Sequence, residues 1–194
     1  MERVPVYILA GGKSSRFGSD KARALITGKP LILRVAENLK PVASSISVIA
    51  DVAGKYSDLG FETIADDVAG LGPLGGLKTA LRHRGDGWLF LTSCDVVSFN
   101  PQWIELLQRG AAPGSGAVAF KTDRWQPLPA LYHSSIMSTL DKQISLNTLA
   151  LWKLLNAAKS NAVPPPPDWF RFRQVNTQQE LTDYNGDVNT SASS

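Results

Sequence analysis

Val6-Tyr7-Ile8-Leu9-Ala10-Gly11-Gly12-Lys13-Ser14-Ser15-Arg16-Phe17-Gly18-Ser19-Asp20-Lys21 joins an apolar strand to a glycine-rich loop near the start of the chain. It opens on a short apolar run, Val6–Ala10, too short to span a membrane and lacking the cleavage pattern of a signal peptide, so it reads as a buried strand. Glycines, serines and cations follow at once. Backbone N–H groups without a neighbouring Cβ can close around phosphate oxygens, and glycine can take turns other residues avoid. In an open α/β sheet the carboxyl end of such a strand is where a ligand sits. Lys21 supplies a compact point charge and Arg16 a planar, permanently charged fork, both suited to a polyphosphate. Two familiar phosphate loops fail here: Gly12, five residues and Gly18 run into Ser19-Asp20 and so lack the Gly-Lys-Ser/Thr ending of a P-loop, and Gly11-Gly12 has no third glycine at dinucleotide-binding spacing.

Working outward, further apolar and β-branched runs lie at Ile46–Ala50, Glu62–Ile64, Trp88–Thr92 and Ala117–Phe120. Helical patterning separates the early ones. Pro30–Leu39 places Leu31, Val35 and Leu39 on one face, and Pro73–Arg84 and Pro101–Arg109 each open with a proline where a helix tolerates it. This alternation predicts an α/β fold: three layers, helix on sheet on helix, with a mostly parallel, Rossmann-like central sheet. Later, Met137–Gln143 and Thr148–Ala158 read as helices, Pro164–Pro167 as an extended linker, Phe170–Val175 as a strand and Gln178–Tyr184 as a helix. Residues 1–185 form one expected domain, and 186–194 read as a polar, frayed tail.

The 194 residues carry a formal charge of +3, which favours anionic ligands but is no basic stripe, so a small anion is expected as partner rather than nucleic acid. Cys94 is the single cysteine, which excludes an internal disulfide and fits a cytoplasmic protein; no Cys/His spacing suggests zinc.

Two further segments carry chemistry. Asp66-Asp67-Val68-Ala69-Gly70-Leu71-Gly72-Pro73-Leu74-Gly75-Gly76 sets carboxylates beside a helix start, where they can meet a ligand; capping the next turn is the lesser alternative. Ser93-Cys94-Asp95 follows the apolar run ending at Thr92, so Asp95 should project from the carboxyl end of a strand into the crevice. Magnesium takes one or two carboxylates and completes its shell with water and phosphate, a role open to Asp95; capping is the other role open to it. Cys94 reads as a packed side chain rather than a nucleophile.

The glycine loop resembles that of the molybdenum cofactor guanylyltransferases, within the wider nucleotidyltransferase superfamily: Leu9-Ala10-Gly11-Gly12, three residues, Arg16, an apolar residue, Gly18, then Asp20-Lys21-Ala22. Phe17 stands where methionine is usual. Gly72-Pro73-Leu74-Gly75-Gly76, Pro127-Leu128-Pro129-Ala130-Leu131-Tyr132 and Val175-Asn176-Thr177 resemble later elements of that family. Three departures stand out: Val97 replaces a proline after Cys94-Asp95, an absence expected to loosen that turn, Gln174 replaces an asparagine, and Gln178 a second proline.

The resemblance implies GMP transfer from GTP to molybdopterin, forming the guanine dinucleotide cofactor and releasing pyrophosphate with the help of Mg2+. It implies catalytic roles for Arg16, Lys21 and Asp95, with Asp95 holding the metal. Nucleotide contacts fall to Leu9, Ala10, Gly11, Gly12, Lys21, Asp66, Gly72 and Asp95, and a pterin contact to Asn176. Guanine presents donors at N1 and N2 and an acceptor at O6, which a carboxylate beside free backbone N–H groups can answer. Expected partners are therefore GTP and molybdopterin, with transient contacts to cofactor-biosynthesis or acceptor proteins, and neither nucleic acid nor membrane. Cytidylyl transfer, sugar-phosphate nucleotidyl transfer and noncatalytic binding remain the rival readings. Cytidylyl relatives tend to read Leu-Ala-Ala-Gly at positions 9–12, which favours guanine here.

Overall fold

A computed structural model describes residues 2–11, 20–67 and 70–191, of which 187–191 by their backbone alone. The chain begins with β1 (Val4–Leu9), then a short hairpin of β2 (Leu25–Ile26) and β3 (Lys29–Pro30), α1 (Leu31–Leu39), β4 (Ala43–Ala50) and β5 (Glu62–Ala65). Next come α2 (Pro73–Arg84), β6 (Trp88–Ser93), β7 (Val96–Ser98), α3 (Trp103–Arg109), β8 (Ala117–Lys121) and β9 (Trp125–His133). It closes with α4 (Met137–Ser145), α5 (Leu151–Ala157), β10 (Ser160–Val163), β11 (Arg173–Gln174) and α6 (Gln178–Ser191). Among the described residues no helix is long and apolar enough to cross a membrane.

Seven strands form the main sheet in the order β10-β8-β9-β6-β1-β4-β5. β1 runs parallel to both β4 and β6, β4 to β5, and β8 to β10; β9 alone opposes its neighbours. The chain moves outward from β1 to β4 and β5, then returns to the other side of β1 as β6. With right-handed crossovers, that reversal puts α1 and α2 on opposite faces. The core divides accordingly. Val6 and Ile8 of β1 pack with Ile32, Val35 and Leu39 of α1 and Trp103, Ile104 and Leu107 of α3. Tyr7 and Leu9 point the other way, against Leu74 and Leu77 of α2 and Leu140, Leu151 and Leu154 of α4 and α5. Val6 and Ile8 are fully buried, and each such side chain contributes about 1.5–3 kcal/mol. The three-layer, mostly parallel architecture is as expected.

The sequence reading misses β9 and β10 and shortens the end of the chain. Pro127 and Pro129 argue against a central strand, because proline cannot donate to a ladder. The fold resolves this by register: β9 pairs with β6 only from Ala130 to His133, and its pairing with β8 jumps from Ala130 to Gln126, leaving both prolines in the irregularity. Phe170–Val175 is not one strand: a 3-10 turn at Trp169–Arg171 precedes the two-residue β11. α6 continues beyond Tyr184 to Ser191, through residues read as a tail.

Candidate active site

The reversal of strand order leaves a crevice at the carboxyl ends of β1 and β6, where Leu9 is opposite Ser93. Both chains continue under restraint: Cys94 N–H donates to the Leu9 carbonyl at 3.0 Å, and Ala10 N–H to the Ile49 carbonyl at 2.9 Å. Asp95 emerges here, its carboxylate at the mouth. Its neighbour β7 pairs with β11, and Val175 N–H donates to the Asp95 carbonyl at 3.0 Å. The turn expected to loosen for want of a proline is thus held in a short antiparallel ladder.

Lys21 arrives from the other side. Asp20 caps the 3-10 turn Lys21–Arg23 by accepting from Ala22 N–H at 3.1 Å, which fixes where the Lys21 side chain starts. Lys21 Nζ donates to Asp95 Oδ2 at 2.9 Å and to Asn176 Oδ1 at 3.2 Å. Ser93 Oγ donates to Asp95 Oδ1. The lysine and aspartate side chains are 14% and 18% exposed, open enough for a ligand and sheltered enough that their charges are felt strongly.

Asn176 is carried in by its surroundings. Trp169 stacks on Phe172 at 4.7 Å between ring centres and packs on Trp103 and Phe120, anchoring the segment beneath α3. Beyond it, Thr177 and Glu180 form a capping box: Glu180 N–H donates to Thr177 Oγ1 at 3.1 Å, and Glu180 Oε2 accepts from the backbone N–H groups of Asn176 and Thr177. Thr177 does the capping, so the Asn176 side chain stays exposed beside Lys21.

Asp66 lies at the end of β5, with β4 and β1 between its strand and β6. Three strand spacings separate it from the Asp95 side of the mouth, about 14 Å. Thr79 Oγ1 of α2 donates to Asp66 Oδ1 at 3.0 Å. Close approach of α2 depends on missing side chains: a Cβ at Gly75 would meet Asp66 Oδ2 at 3.1 Å, and one at Gly76 would meet Leu9 Cδ2 at 2.6 Å. Gly72 leads into α2 at φ +58°, a conformation side chains disfavour. Leu9, Ala10 and Gly11 continue β1 into the mouth. Gly12 and Arg16 lie outside the described residues.

Lys21, Asp95 and Asn176 therefore meet in one cluster, while Asp66 and Gly72 stand at the other end of the same edge. The cluster offers hard oxygen donors at Asp95, Ser93 and Asn176, a set that fits magnesium. Among the described residues no three His, Cys, Asp or Glu side chains gather, so such an ion would draw the rest of its shell from phosphate and water. Cys94 is inert. Burial first, and then the Asp95 charge, push its thiol up to about 12, against the opposing pull of Lys21. Ser93 is given no supporting role by the sequence, because a serine carries no spacing signal of its own, and Asp20 reads there only as part of the loop motif.

Comparison with known proteins accords with this geometry. The MobA-like NTP transferase domain matches residues 6–162. A probable molybdenum cofactor guanylyltransferase of Deinococcus radiodurans is 35% identical over 181 residues, 92% of either chain. One from Aquifex aeolicus is 30% identical over 177 residues, 90% of this chain and 87% of the relative. The molybdopterin-guanine dinucleotide biosynthesis protein A of Archaeoglobus fulgidus superposes with a TM-score of 0.81 at 24% identity, covering 96% of this chain and 99% of the other, a likeness that speaks for the fold. With its glycine-loop strand, its crevice at β1 and β6 and these relatives, the chain belongs to the MobA-like NTP transferase domain family.

Proposed function

We propose that this protein is a molybdenum cofactor guanylyltransferase, transferring GMP from GTP to the terminal phosphate of molybdopterin. The observation that carries the reading is the meeting of Lys21 and Asp95 at the carboxyl edge of β1 and β6, 2.9 Å apart. An oxygen of the molybdopterin phosphate attacks the α-phosphorus of GTP, a new phosphoanhydride bond forms, and the bond to the β-phosphate breaks as pyrophosphate leaves. The attacking oxygen is already ionised near neutral pH, so no general base is required. What the protein supplies is position and charge.

Lys21 leaves Asp95 to meet the phosphates, exchanging one anion for a more highly charged one, and Arg16 joins it on the leaving pyrophosphate. Asp66, held by Thr79, receives the guanine end together with the backbone at Gly72, and Leu9, Ala10, Gly11 and Gly12 contact the nucleotide. Asn176 orients the pterin. Mg2+, held by Asp95 with Ser93 and Asn176 at hand, would neutralise charge on the phosphates.

The test is pyrophosphate release from GTP, Mg2+ and molybdopterin, with CTP as the competing nucleotide and Asp95→Ala as the control. GTP-dependent release that Asp95→Ala abolishes supports the reading. Tighter binding and faster turnover with CTP would replace it by cytidylyl transfer, and binding without release by a noncatalytic role.

A further inference from the structure

Tyr56 lies in the connection between β4 and β5, its side chain fully buried in the core beneath α1. Its hydroxyl reaches out of that core. The oxygen lies 3.3 Å from the Ala10 carbonyl and 3.0 Å from each carboxylate oxygen of Asp20. Ala10 is where the chain leaves β1, and Asp20 is the cap from which Lys21 begins. One hydroxyl proton thus faces acceptors on both flanks of the glycine loop. Burial and the Asp20 charge raise the Tyr56 pKa, so the proton is kept at any working pH. Two cations attend the same carboxylate, Lys55 at 3.7 Å and Arg23 at 3.9 Å, with Arg23 and Lys55 also lying over the Tyr56 ring. Tyr56 and the Ala22 N–H make the close directional contacts to this carboxylate among the described residues.

We infer that Tyr56 is a positioning residue for nucleotidyl transfer: its hydroxyl ties Ala10 to Asp20, brings the flanks of the glycine loop together and thereby aims Lys21 at the triphosphate. The inference rests on the proposed function for its consequence, though the tie itself is a matter of geometry. The ring fills the core and the hydroxyl serves the site, so the two contributions separate by substitution. Tyr56→Phe keeps the ring.

Three measurements decide it. Thermal melting should move little, because the packing is retained. The GTP dissociation constant and KM should rise roughly tenfold, as expected for losing a hydrogen bond to a charged group, while kcat changes less. Limited trypsin digestion without nucleotide should cut between Ala10 and Lys21 faster in Tyr56→Phe than in the unsubstituted protein. Equal GTP affinity and equal cutting rates in the two proteins would overturn the inference, as would a kcat loss that tracks a fall in melting temperature at constant KM. If the unsubstituted protein binds no GTP at all, the functional reading fails instead, and the trypsin comparison still judges the tie.

Discussion

Lys21 Nζ and Asp95 Oδ2 are 2.9 Å apart, an ion pair between residues 74 positions apart in the chain. In the proposed reaction each partner is needed by something other than its mate: the lysine by phosphate, the carboxylate by a divalent ion. Their pairing keeps two half-buried charges satisfied until substrate arrives. Lys21→Met should therefore give a folded protein whose turnover falls by roughly 100- to 1,000-fold, the usual cost of removing one charge-stabilising group. Steady-state kinetics with circular dichroism as the folding control checks this; turnover within a few-fold of the parent would remove Lys21 from the chemistry.

Arg23 grips Asp58 with two hydrogen bonds of 2.8 Å, fastening the turn that carries Lys21 to the connection beyond β4. That hydrogen bonding, with the guanidinium charge, holds the Asp58 carboxyl below its usual range. A depressed carboxylate contributes stability that is fully present above its unfolded pKa of about 3.9 and is lost as pH falls through the lower folded value. Urea unfolding at pH 7, 5 and 3 should show Asp58→Asn closing the gap to the parent as the pH drops. A gap that widens in acid contradicts the sign.

Cys94 is buried, its thiol pushed up to about 12. At pH 8 the native protein should resist a thiol-specific reagent and react fully once unfolded in guanidinium chloride. Cys94→Ala should retain turnover of the same order as the parent. Rapid native labelling with loss of activity would reopen a nucleophilic role.

Gly76 sits against Leu9, with no room for a Cβ at 2.6 Å from Leu9 Cδ2. Gly76→Val forces α2 away from the end of β1 and should destabilise the protein by about 1–3 kcal/mol, the range for overpacking. Because Leu9 leads into the mouth of the site, KM for GTP should rise as well. A variant as stable as its parent in chemical denaturation would show that Leu9 can turn aside.

Much of this was legible in residue order. Val6–Ala10 and Trp88–Thr92 announce buried parallel strands because both faces of such strands are covered, which leaves them apolar throughout. The helix Pro73–Arg84 is read to the residue from its opening proline, and the structure shows Gly85 as its C-cap. Lys21, Asp95 and Asn176 stand out as single residues at strand or motif ends. The prolines of β9 hid a central strand because a local rule cannot see that the register shift falls where they lie.

Residue order was enough for the alternation of elements and the chemistry of the loop, both set by short-range periodicity and residue type. Tertiary structure alone decided that Lys21 meets both Asp95 and an asparagine 155 residues later, and that a buried tyrosine reaches both flanks of the loop. Those encounters arise from strand order and helix packing, which sum contributions from the whole chain and leave no mark on the spacing of any one segment.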